Sequence, residues 1–361
     1  MMEETVILGV DIGADFLKLS SCQKGQTDIS SEKESFQEEV SLDVIEEKIN
    51  SVIEAYDHGA KEKAKIVFST EEEQIPRAKE LEKRLIEKGY RKTNLRLISR
   101  ENAFIHYVIS QEKELRKHTV YLFDFDGECL KAYKMEHSKK KTPLNYKAEK
   151  QVLGSFTLSV GQGERGKVLD EKFASVLKQL FSKEVVSAVF LTGAGFEGDW
   201  LKKSLKILCD GRRAFVGQNL FSSGCCYYAG TMEERHKKEF MIQAPETVLY
   251  EAGVLDGANK DAFVKVTEAG NAWYDTKGSV DLILERMGKV DVVFVNTMTG
   301  EKQVESVDVS SLGNRPRKMG RLQLKIRFFD NKTGVITVCD KGFGDFLPAT
   351  HQLFLKEFTL L

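Results

Sequence analysis

The sequence predicts an α/β region followed by an all-β region. Over residues 1–238, short apolar strands alternate with amphipathic helices, which is typical of a mostly parallel sheet with an antiparallel edge. The order of these elements is nearly repeated from residue 119, so the region divides into two similar α/β lobes, 1–118 and 119–238. Helical periodicity ends near residue 240, and residues 239–361 form short strands separated by turns, the pattern of a β-sandwich.

The first lobe opens with an apolar strand at residues 5–10, and residues 16–22 follow a glycine turn as its hairpin partner. Residues 40–56 place their apolar side chains on one stripe of a helix. The lobe then continues with a strand, a helix, a strand and a helix, at residues 65–69, 75–88, 95–99 and 101–116.

The second lobe restarts this pattern. Three strands are predicted at residues 119–125, 129–137 and 152–160. Helices and strands then alternate at residues 167–181, 188–191, 199–208, 213–216 and 222–235. In the all-β region, the strands are predicted at residues 262–266, 279–284, 290–296, 321–329 and 334–338.

The composition is that of an ordinary globular protein. The chain has 361 residues, 41% hydrophobic and 30% charged, with a formal net charge of −1, so no overall field attracts nucleic acid or an anionic membrane. No run approaches the roughly 20 apolar residues of a membrane span, and the acidic start MMEETVILGVDIG is unlike a secretory signal. We expect a cytoplasmic protein without a membrane or nucleic-acid partner. The six cysteines and six histidines show no zinc-like spacing.

A segment with aspartate and glycine lies at the end of the opening strand of each lobe. Asp11 and Gly13 lie in GVDIG, and Asp124 and Gly127 lie in LFDFDG. An aspartate at the end of a buried strand can orient metal-bound water, and a glycine lets backbone N–H groups approach phosphate. These residues are therefore candidates for a phosphate-binding site.

A third segment, LTGAGF, contains Gly193, Ala194, Gly195 and Phe196. A glycine-rich turn of this kind lets a helix start lie close to a nucleotide. Phe196 has two interpretations, a ring that stacks on adenine or a core residue beneath the turn.

In this order, the three segments resemble the phosphate-1, phosphate-2 and adenosine motifs of the actin, DnaK-type chaperone and sugar-kinase superfamily. The resemblance implies two actin-like, ribonuclease-H-like lobes with ATP or ADP between them. It also implies Mg²⁺ held through water by Asp11 and Asp124, which would be the catalytic residues of an active enzyme. Residues 97–107 and 222–230 are similar to the connecting helices between such lobes.

The chain departs from the chaperone pattern at several positions. Ala14 and Asp15 stand where the chaperones carry hydroxyl residues, and Asp126 interrupts a run that they fill with glycine. Their catalytic glutamate falls near Ser99, with Glu101 as an offset substitute. Because ATP hydrolysis needs donors around the phosphates and acidic groups around the metal, we predict weak or absent hydrolysis.

The all-β region looks like a chaperone substrate-binding domain without its helical lid. The resemblance lies in LGNRPRKMGRLQLKIRFFD and GVITVCDK. It implies a protein or peptide partner, for which Trp273 and Tyr274 are candidate contacts, with core packing of Trp273 as the alternative.

The sequence therefore leaves two main hypotheses. The first is a chaperone-like binding or scaffolding protein with a degenerate nucleotide site. The second is an active ATPase that couples lobe closure to partner binding. A metabolite kinase is disfavoured because no separate substrate-base aspartate is apparent.

Overall fold

The computed structural model describes residues 5–24, 29–36, 39–56, 61–138, 144–156, 162–232, 240–255, 263–285, 288–313 and 315–361. Its contacts divide the chain into two compact units, Met1–Ala244 and Pro245–Leu361, which we call the α/β unit and the β unit. Among the described residues, no helix is long and apolar enough to cross a membrane. The predicted mixed α/β character is confirmed.

The first sheet of the α/β unit has five strands. They are β1 (Val6–Ile12), β2 (Phe16–Gln23), β3 (Ser30–Ser35), β4 (Lys65–Thr70) and β5 (Leu95–Ser99). Their spatial order is β3-β2-β1-β4-β5, with β1 parallel to β4 and antiparallel to β2. Every residue of β1 is buried, because the strand lies at the centre of the sheet.

Three helices accompany this sheet, α1 (Leu42–Glu54), α2 (Ile75–Glu87) and α3 (Arg100–Ser110). Ser41 caps α1 by accepting a hydrogen bond from the Val44 N–H, and Ser99 caps α3 by accepting one from the Asn102 N–H. Pro76 occupies the first turn of α2, where an N–H would have no intrahelical partner. Local sequence thus determines where each helix begins.

The second sheet has six strands in the order β10-β9-β6-β7-β8-β11. They are β6 (Thr119–Phe125), β7 (Cys129–Ser138), β8 (Leu144–Ser155), β9 (Val186–Thr192), β10 (Arg213–Val216) and β11 (Phe240–Gln243). Its helices are α4 (Gln162–Phe181), α5 (Lys203–Leu208) and α6 (Leu220–Thr231). The first five strands by sequence, β6 to β10, have the same relative order as β1 to β5 of the first sheet.

Helix α6 lies unusually close to the first sheet and to α3. A Cβ added at Gly9 would stand 1.9 Å from the Ser222 carbonyl oxygen, and one at Gly224 would stand 2.0 Å from the Ala103 carbonyl oxygen. Only glycine permits these approaches. One hydrophobic core then joins both sheets through α3 and α6, including Ile7, Phe104, Leu122 and Cys225.

The β unit consists of two four-stranded antiparallel sheets with the orders β13-β12-β15-β16 and β14-β17-β18-β19. The strands are β12 (Tyr250–Leu255), β13 (Phe263–Thr267), β14 (Lys277–Leu284), β15 (Lys289–Asn296), β16 (Lys302–Asp308), β17 (Gly320–Phe328), β18 (Thr333–Asp340) and β19 (Leu353–Thr359). Buried residues of both sheets, among them Val292, Phe294, Leu324, Val338 and Phe358, form one core. The alternation along β17 places every second side chain in this core.

Candidate functional site in the cleft of the α/β unit

A cavity of about 600 Å³ opens where the strands of the two sheets end. Asp11 lies in β1, Asp124 in β6, Glu71 follows β4 and Arg100 follows β5. The carboxyl ends of parallel strands meet at one edge of a sheet, which is where open α/β sheets bind ligands. The structure therefore brings Asp124, Gly13, Gly193 and Ala194 to one cavity. Asp11 does not line it, but pairs with Arg100, which does.

Asp11 forms a buried ion pair with Arg100. The Asp11 side chain is fully buried, and its Oδ1 atom accepts hydrogen bonds from Arg100 Nε at 2.8 Å and from Ser69 Oγ at 3.1 Å. The Oδ2 atom has no hydrogen-bond partner among the described residues. Burial alone would lower the pKa of Arg100, but the negative charge of Asp11 helps to hold this pKa above its ordinary value.

Arg100 continues this chain of charges into the second sheet. Its Nη1 atom donates to Glu71 Oε1 at 2.7 Å, and the Glu71 carboxylate also accepts from Lys131 Nζ at 2.5 Å and Lys150 Nζ at 3.0 Å. Burial alone would raise the pKa of Glu71, but the three cations lower it to about 2. Because Lys131 and Lys150 lie in β7 and β8, Glu71 links the two sheets by ion pairs.

In the opening hairpin of each sheet, an aspartate stands opposite a lysine. Asp11 stands opposite Lys18 in the β1–β2 hairpin, and Asp124 stands opposite Lys131 in the β6–β7 hairpin. Lys18 is only 5% exposed and lines the cavity. Burial lowers the pKa of Lys18 below its ordinary value, and the negative charges of Asp11 and Asp124 offset only part of this shift. Burial also raises the pKa of Asp124.

The predicted adenosine turn packs against the end of β6. A Cβ added at Gly193, whose φ is +102°, would stand 2.2 Å from the Phe125 carbonyl oxygen, and one at Gly195 would stand 2.7 Å from the Gly127 N–H nitrogen. Both glycines are therefore required for this packing. Phe196 is 5% exposed and lies against Phe125, at a ring distance of 5.6 Å. Of its two interpretations, the structure places Phe196 in the core.

A second, shallower cavity of about 370 Å³ adjoins the same turn. It is lined by Gly127, Arg165, Ala194, Gly195 and Trp200, among others. Trp200 donates a hydrogen bond from Nε1 to the Gly195 carbonyl oxygen at 3.0 Å and stacks on Phe196. The two cavities share Asp126 and Ala194, so together they form a continuous groove.

The predicted phosphate-1 and phosphate-2 turns are stabilised by different hydrogen bonds. Gly13 donates its N–H to the Phe16 carbonyl oxygen at 3.0 Å, which closes the first turn. Asp126 holds the second turn, because its Oδ1 atom accepts from the Glu128 and Cys129 N–H groups at 2.8 and 2.7 Å. Those N–H groups are therefore already satisfied by the protein's own carboxylate.

The cleft residues do not fit a divalent metal at Asp11. The carboxylate that the resemblance assigns to Mg²⁺ is already paired with a guanidinium, which cannot be deprotonated in a protein. A divalent cation there would face Arg100 and Lys18 as like charges. Among the described residues, no group of three or more His, Cys, Asp or Glu side chains is arranged to hold a metal ion.

Trp273 and Tyr274 lie in the β unit, on the turn before β14. Both are half-buried, and their rings contact each other at 5.1 Å. Trp273 packs against the core of the β unit, which agrees with the alternative interpretation of this residue.

Sequence reasoning missed Glu71, Arg100, Lys18, Lys131 and Lys150 as site residues. A signal for two of them exists, since an aspartate is followed seven positions later by a lysine in each opening hairpin. Glu71 and Arg100 could have been found by searching the residues that follow each parallel strand. Lys150 carries no such signal, since its place depends on the register of β7 with β8.

The chain belongs to the family described as "Family of unknown function (DUF5716) C-terminal", whose model matches residues 17–244. Residues 254–360 match the model "Domain of unknown function (DUF8552)". No curated protein matches the chain.

Similar solved structures cover about two thirds of this chain. The activator of the 2-hydroxyisocaproyl-CoA dehydratase from Clostridium difficile, with bound ADPNP, is 15% identical, with 67% of this chain and 100% of that chain covered and a TM-score of 0.42. Component A of the Acidaminococcus fermentans (R)-2-hydroxyglutaryl-CoA dehydratase is 13% identical, with 64% and 100% covered and a TM-score of 0.42. A ROK family protein from Streptococcus pneumoniae TIGR4, in complex with sucrose, is 12% identical, with 64% and 100% covered and a TM-score of 0.39. Likenesses at this level carry no conclusion about chemistry.

Proposed function

We propose that this protein is a chaperone-like binding or scaffolding protein, in which two duplicated actin-like lobes carry a β-sandwich and do not hydrolyse ATP efficiently. The observation that carries the proposal is the chain of charges that runs from Asp11 through Arg100, both buried, to half-buried Glu71. It occupies the part of the cleft where an ATPase of this kind would hold its metal.

The energetic argument concerns the Asp11–Arg100 pair. Metal-dependent phosphoryl transfer needs a carboxylate that is free to orient the cation or its water. Freeing Asp11 would leave the buried Arg100 Nε–H without its acceptor, although Nη1 would still pair with Glu71. Breaking one partner out of a buried ion pair costs up to about 3–5 kcal/mol. A metal at Asp11 would have to offset this cost before any catalysis could occur.

The same network opposes motion of the lobes. In the second hypothesis, nucleotide closes the cleft of an active ATPase, and this movement of the lobes changes partner binding. Here Glu71 already joins the first sheet to Lys131 and Lys150 of the second. The network therefore supports a body that stays in one conformation, which suits a scaffold.

The β unit is the proposed contact for a protein or peptide partner. Half-buried Trp273 and Tyr274 provide aromatic surface beside its core. Phe346 is 88% exposed, and Leu353 and Leu355 are 60% and 68% exposed on β19, which is an edge strand. Exposed apolar side chains along an edge strand are suited to an extended polypeptide.

Two measurements on the full chain test this proposal. The first is phosphate release from Mg·ATP, and the second is binding of a fluorescently labelled, permanently unfolded reporter protein. We expect no phosphate release above the rate of the buffer and saturable binding of the reporter, weakened by the double substitution Trp273→Ala and Tyr274→Ala. Phosphate release that disappears on Asp124→Asn would overturn the proposal in favour of an active ATPase. Reporter binding that is absent, or unchanged in the double variant, would remove the proposed role of the aromatic pair.

A further inference from the structure

Two thiols meet where the first sheet packs against helix α6. Cys22 lies near the end of β2, and Cys226 lies in α6, about 200 residues further along the chain. Their side chains are 7% and 3% exposed, and neither lines the cavity of the candidate site. All six cysteines of the chain are free thiols. We call Cys22 and Cys226 the thiol pair.

The packing of β2 against α6 places these thiols side by side. Ser20 and Cys22 are two residues apart in a strand, so their side chains point to the same face of the sheet. Ser222 and Cys226 are four residues apart in a helix, so they share one side of it. Ser20 Oγ lies 2.7 Å from Ser222 Oγ, and the Cys226 thiol donates a hydrogen bond to the Ser20 carbonyl oxygen at 3.0 Å.

The close approach of α6 to the sheet fixes this arrangement. A Cβ added at Gly9, in the strand next to β2, would stand 3.0 Å from the Cys226 backbone nitrogen. The helix backbone therefore lies directly on the sheet, and the thiols of Cys22 and Cys226 hydrogen-bond to each other. Sulfur atoms in such contact need to approach by only about 2 Å to reach the length of a disulfide bond.

The two thiols differ in reactivity. The hydrogen bond with Cys226 lowers the pKa of the Cys22 thiol, although burial opposes this shift. The same hydrogen bond raises the pKa of Cys226, and burial raises it further. Because the thiolate is the nucleophilic form of cysteine, Cys22 should react first, with the protonated Cys226 beside it. A reactive thiol next to a second thiol that can resolve it is typical of an oxidation-sensitive site.

The adjacent Cys225 does not belong to the pair. It is buried, its thiol hydrogen-bonds with Ser69, and burial raises its pKa. Successive residues of a helix point in directions about 100° apart, so Cys225 and Cys226 do not both face Cys22. The fold therefore selects Cys226 as the partner, rather than adjacency in the sequence.

We infer that the thiol pair is a modification site for hydrogen peroxide, which converts it into a disulfide between β2 and α6. The Cys22 thiolate attacks one peroxide oxygen, the O–O bond breaks, and the departing hydroxide takes up a proton from solvent to form water. The Cys226 sulfur then attacks the sulfur of the resulting sulfenic acid, the S–O bond breaks, and hydroxide leaves with the Cys226 proton as a second water. Peroxide gains two electrons, and the two sulfurs lose them.

The disulfide ties the first sheet to the helix through which the apolar core reaches the second sheet. It closes a loop of about 200 residues, and a cross-link over such a length removes much conformational entropy from the unfolded chain. The oxidised protein should therefore unfold at a midpoint several degrees higher than the reduced protein. The inference goes beyond the proposed function and does not rest on it, because the thiol pair lies outside the cavity of the candidate site.

The experiment treats the full chain with hydrogen peroxide near neutral pH, blocks the remaining thiols with N-ethylmaleimide and digests the protein without reductant. We expect mass spectrometry to identify a peptide linked through Cys22 and Cys226 as the main disulfide product. The midpoint of thermal unfolding should rise by several degrees, and dithiothreitol should reverse both changes. The same treatment in urea should give mixed cysteine pairs, because the unfolded chain does not hold the two thiols together.

Two variants separate the steps of the reaction. Cys226→Ser keeps a donor for the Ser20 carbonyl oxygen but lacks the second thiol. Peroxide should therefore leave Cys22 as a sulfenic acid, which dimedone labels, without a rise in the midpoint. Cys22→Ser should give neither the disulfide nor a label at Cys226. Cys209→Ser removes an exposed cysteine and is the matched control, in which the disulfide should form as in the wild type.

Either of two results on the wild-type protein would overturn the inference, whatever the variants do. One is the absence of the peptide linked through Cys22 and Cys226 after peroxide has oxidised the exposed Cys209. The other is an equal yield of this peptide from folded and urea-unfolded protein, which would mean that the fold does not bring the two thiols together. Neither result bears on the proposed function, which fails instead if Mg·ATP is hydrolysed.

Discussion

His106 is a buried histidine held neutral by its surroundings. It lies in α3, 5% exposed, with its ring against Tyr228 at 4.9 Å and Phe240 at 6.2 Å. Burial lowers the pKa of His106 to about 3. The unfolded chain, whose histidine titrates near 6.5, binds this proton at a higher pH than the folded chain does.

This difference predicts how stability depends on pH. Between pH 6.5 and about 3, the unfolded state holds more protons at this position, so the free energy of unfolding falls as the pH falls, by up to about 1.4 kcal/mol per pH unit. His106→Phe keeps an aromatic ring and removes the titration, so its urea-unfolding free energy should be flatter over this range.

The comparison is best made between pH 6.5 and 4.5. The pKa of Glu71 is lowered from 4.5 to about 2, so the stability that it contributes is present above pH 4.5 and is lost only as the pH falls further. The control His351→Asn changes an exposed histidine of the β unit. An unchanged pH slope in His106→Phe would show that the histidine is not kept neutral by folding.

At the scale of elements, the close packing of α6 depends on one glycine of the helix and not on another. Gly224 faces α3, where an added Cβ would stand 2.0 Å from the Ala103 carbonyl oxygen, whereas an added Cβ at Gly230 meets nothing within 4 Å. Both glycines lie in α6.

We therefore expect opposite effects from the same substitution. Gly224→Ala should destabilise the protein by about 1–3 kcal/mol or more, because α3 and α6 must separate. Gly230→Ala should stabilise it by about 0.5–1 kcal/mol, because alanine has the higher helix propensity. Chemical denaturation of both variants checks this, and a similar loss in both would mean that the contact between Gly224 and α3 does not set the cost of the substitution.

The sequence was sufficient for elements whose periodicity is strong. The strand expected at residues 16–22 is Phe16–Gln23, and the helix expected at 75–88 is Ile75–Glu87. The strand expected at residues 152–160 is instead Leu144–Ser155. Residues 157–160 of the expected range lie outside the described part of the chain. The alternation of buried and exposed residues in this strand is irregular, so only pairing with β7 shows where it begins.

The candidate site was less predictable than the elements. Asp11 and Asp124 were found because each lies at the end of a recognisable strand, but their partners are set by long-range contacts. Arg100 is 89 residues from Asp11, and Lys150 is 79 residues from Glu71. Sequence patterns report spacing within an element, whereas these ion pairs depend on which sheet edges meet. For this reason, the sequence alone could not show that a buried guanidinium pairs with the aspartate of an ATPase-like motif.

On the scale of the whole α/β unit, two kinds of contact hold its sheets together. One is the apolar core through α3 and α6, and the other is the set of ion pairs from Glu71 to Lys131 and Lys150. The side chains of Glu71 and Lys131 are 18% and 22% exposed. An ion pair with this little solvent exposure should have a larger coupling energy than a surface pair, for which about 0.2–1 kcal/mol is usual.

A double-mutant cycle measures this coupling. Glu71→Gln and Lys131→Met should each destabilise the protein, and the double variant should be more stable than the sum of the two losses predicts, with a coupling energy of about 1–3 kcal/mol. Asp43 and Arg84, an exposed pair at 2.7 Å, form the control cycle, in which we expect less than about 0.5 kcal/mol. Equal coupling in both cycles would mean that the apolar core alone fixes the sheets, and the cleft would then be free to open around a ligand. Strong coupling at Glu71 would mean that any ligand must enter a cleft whose walls are already tied together by charge.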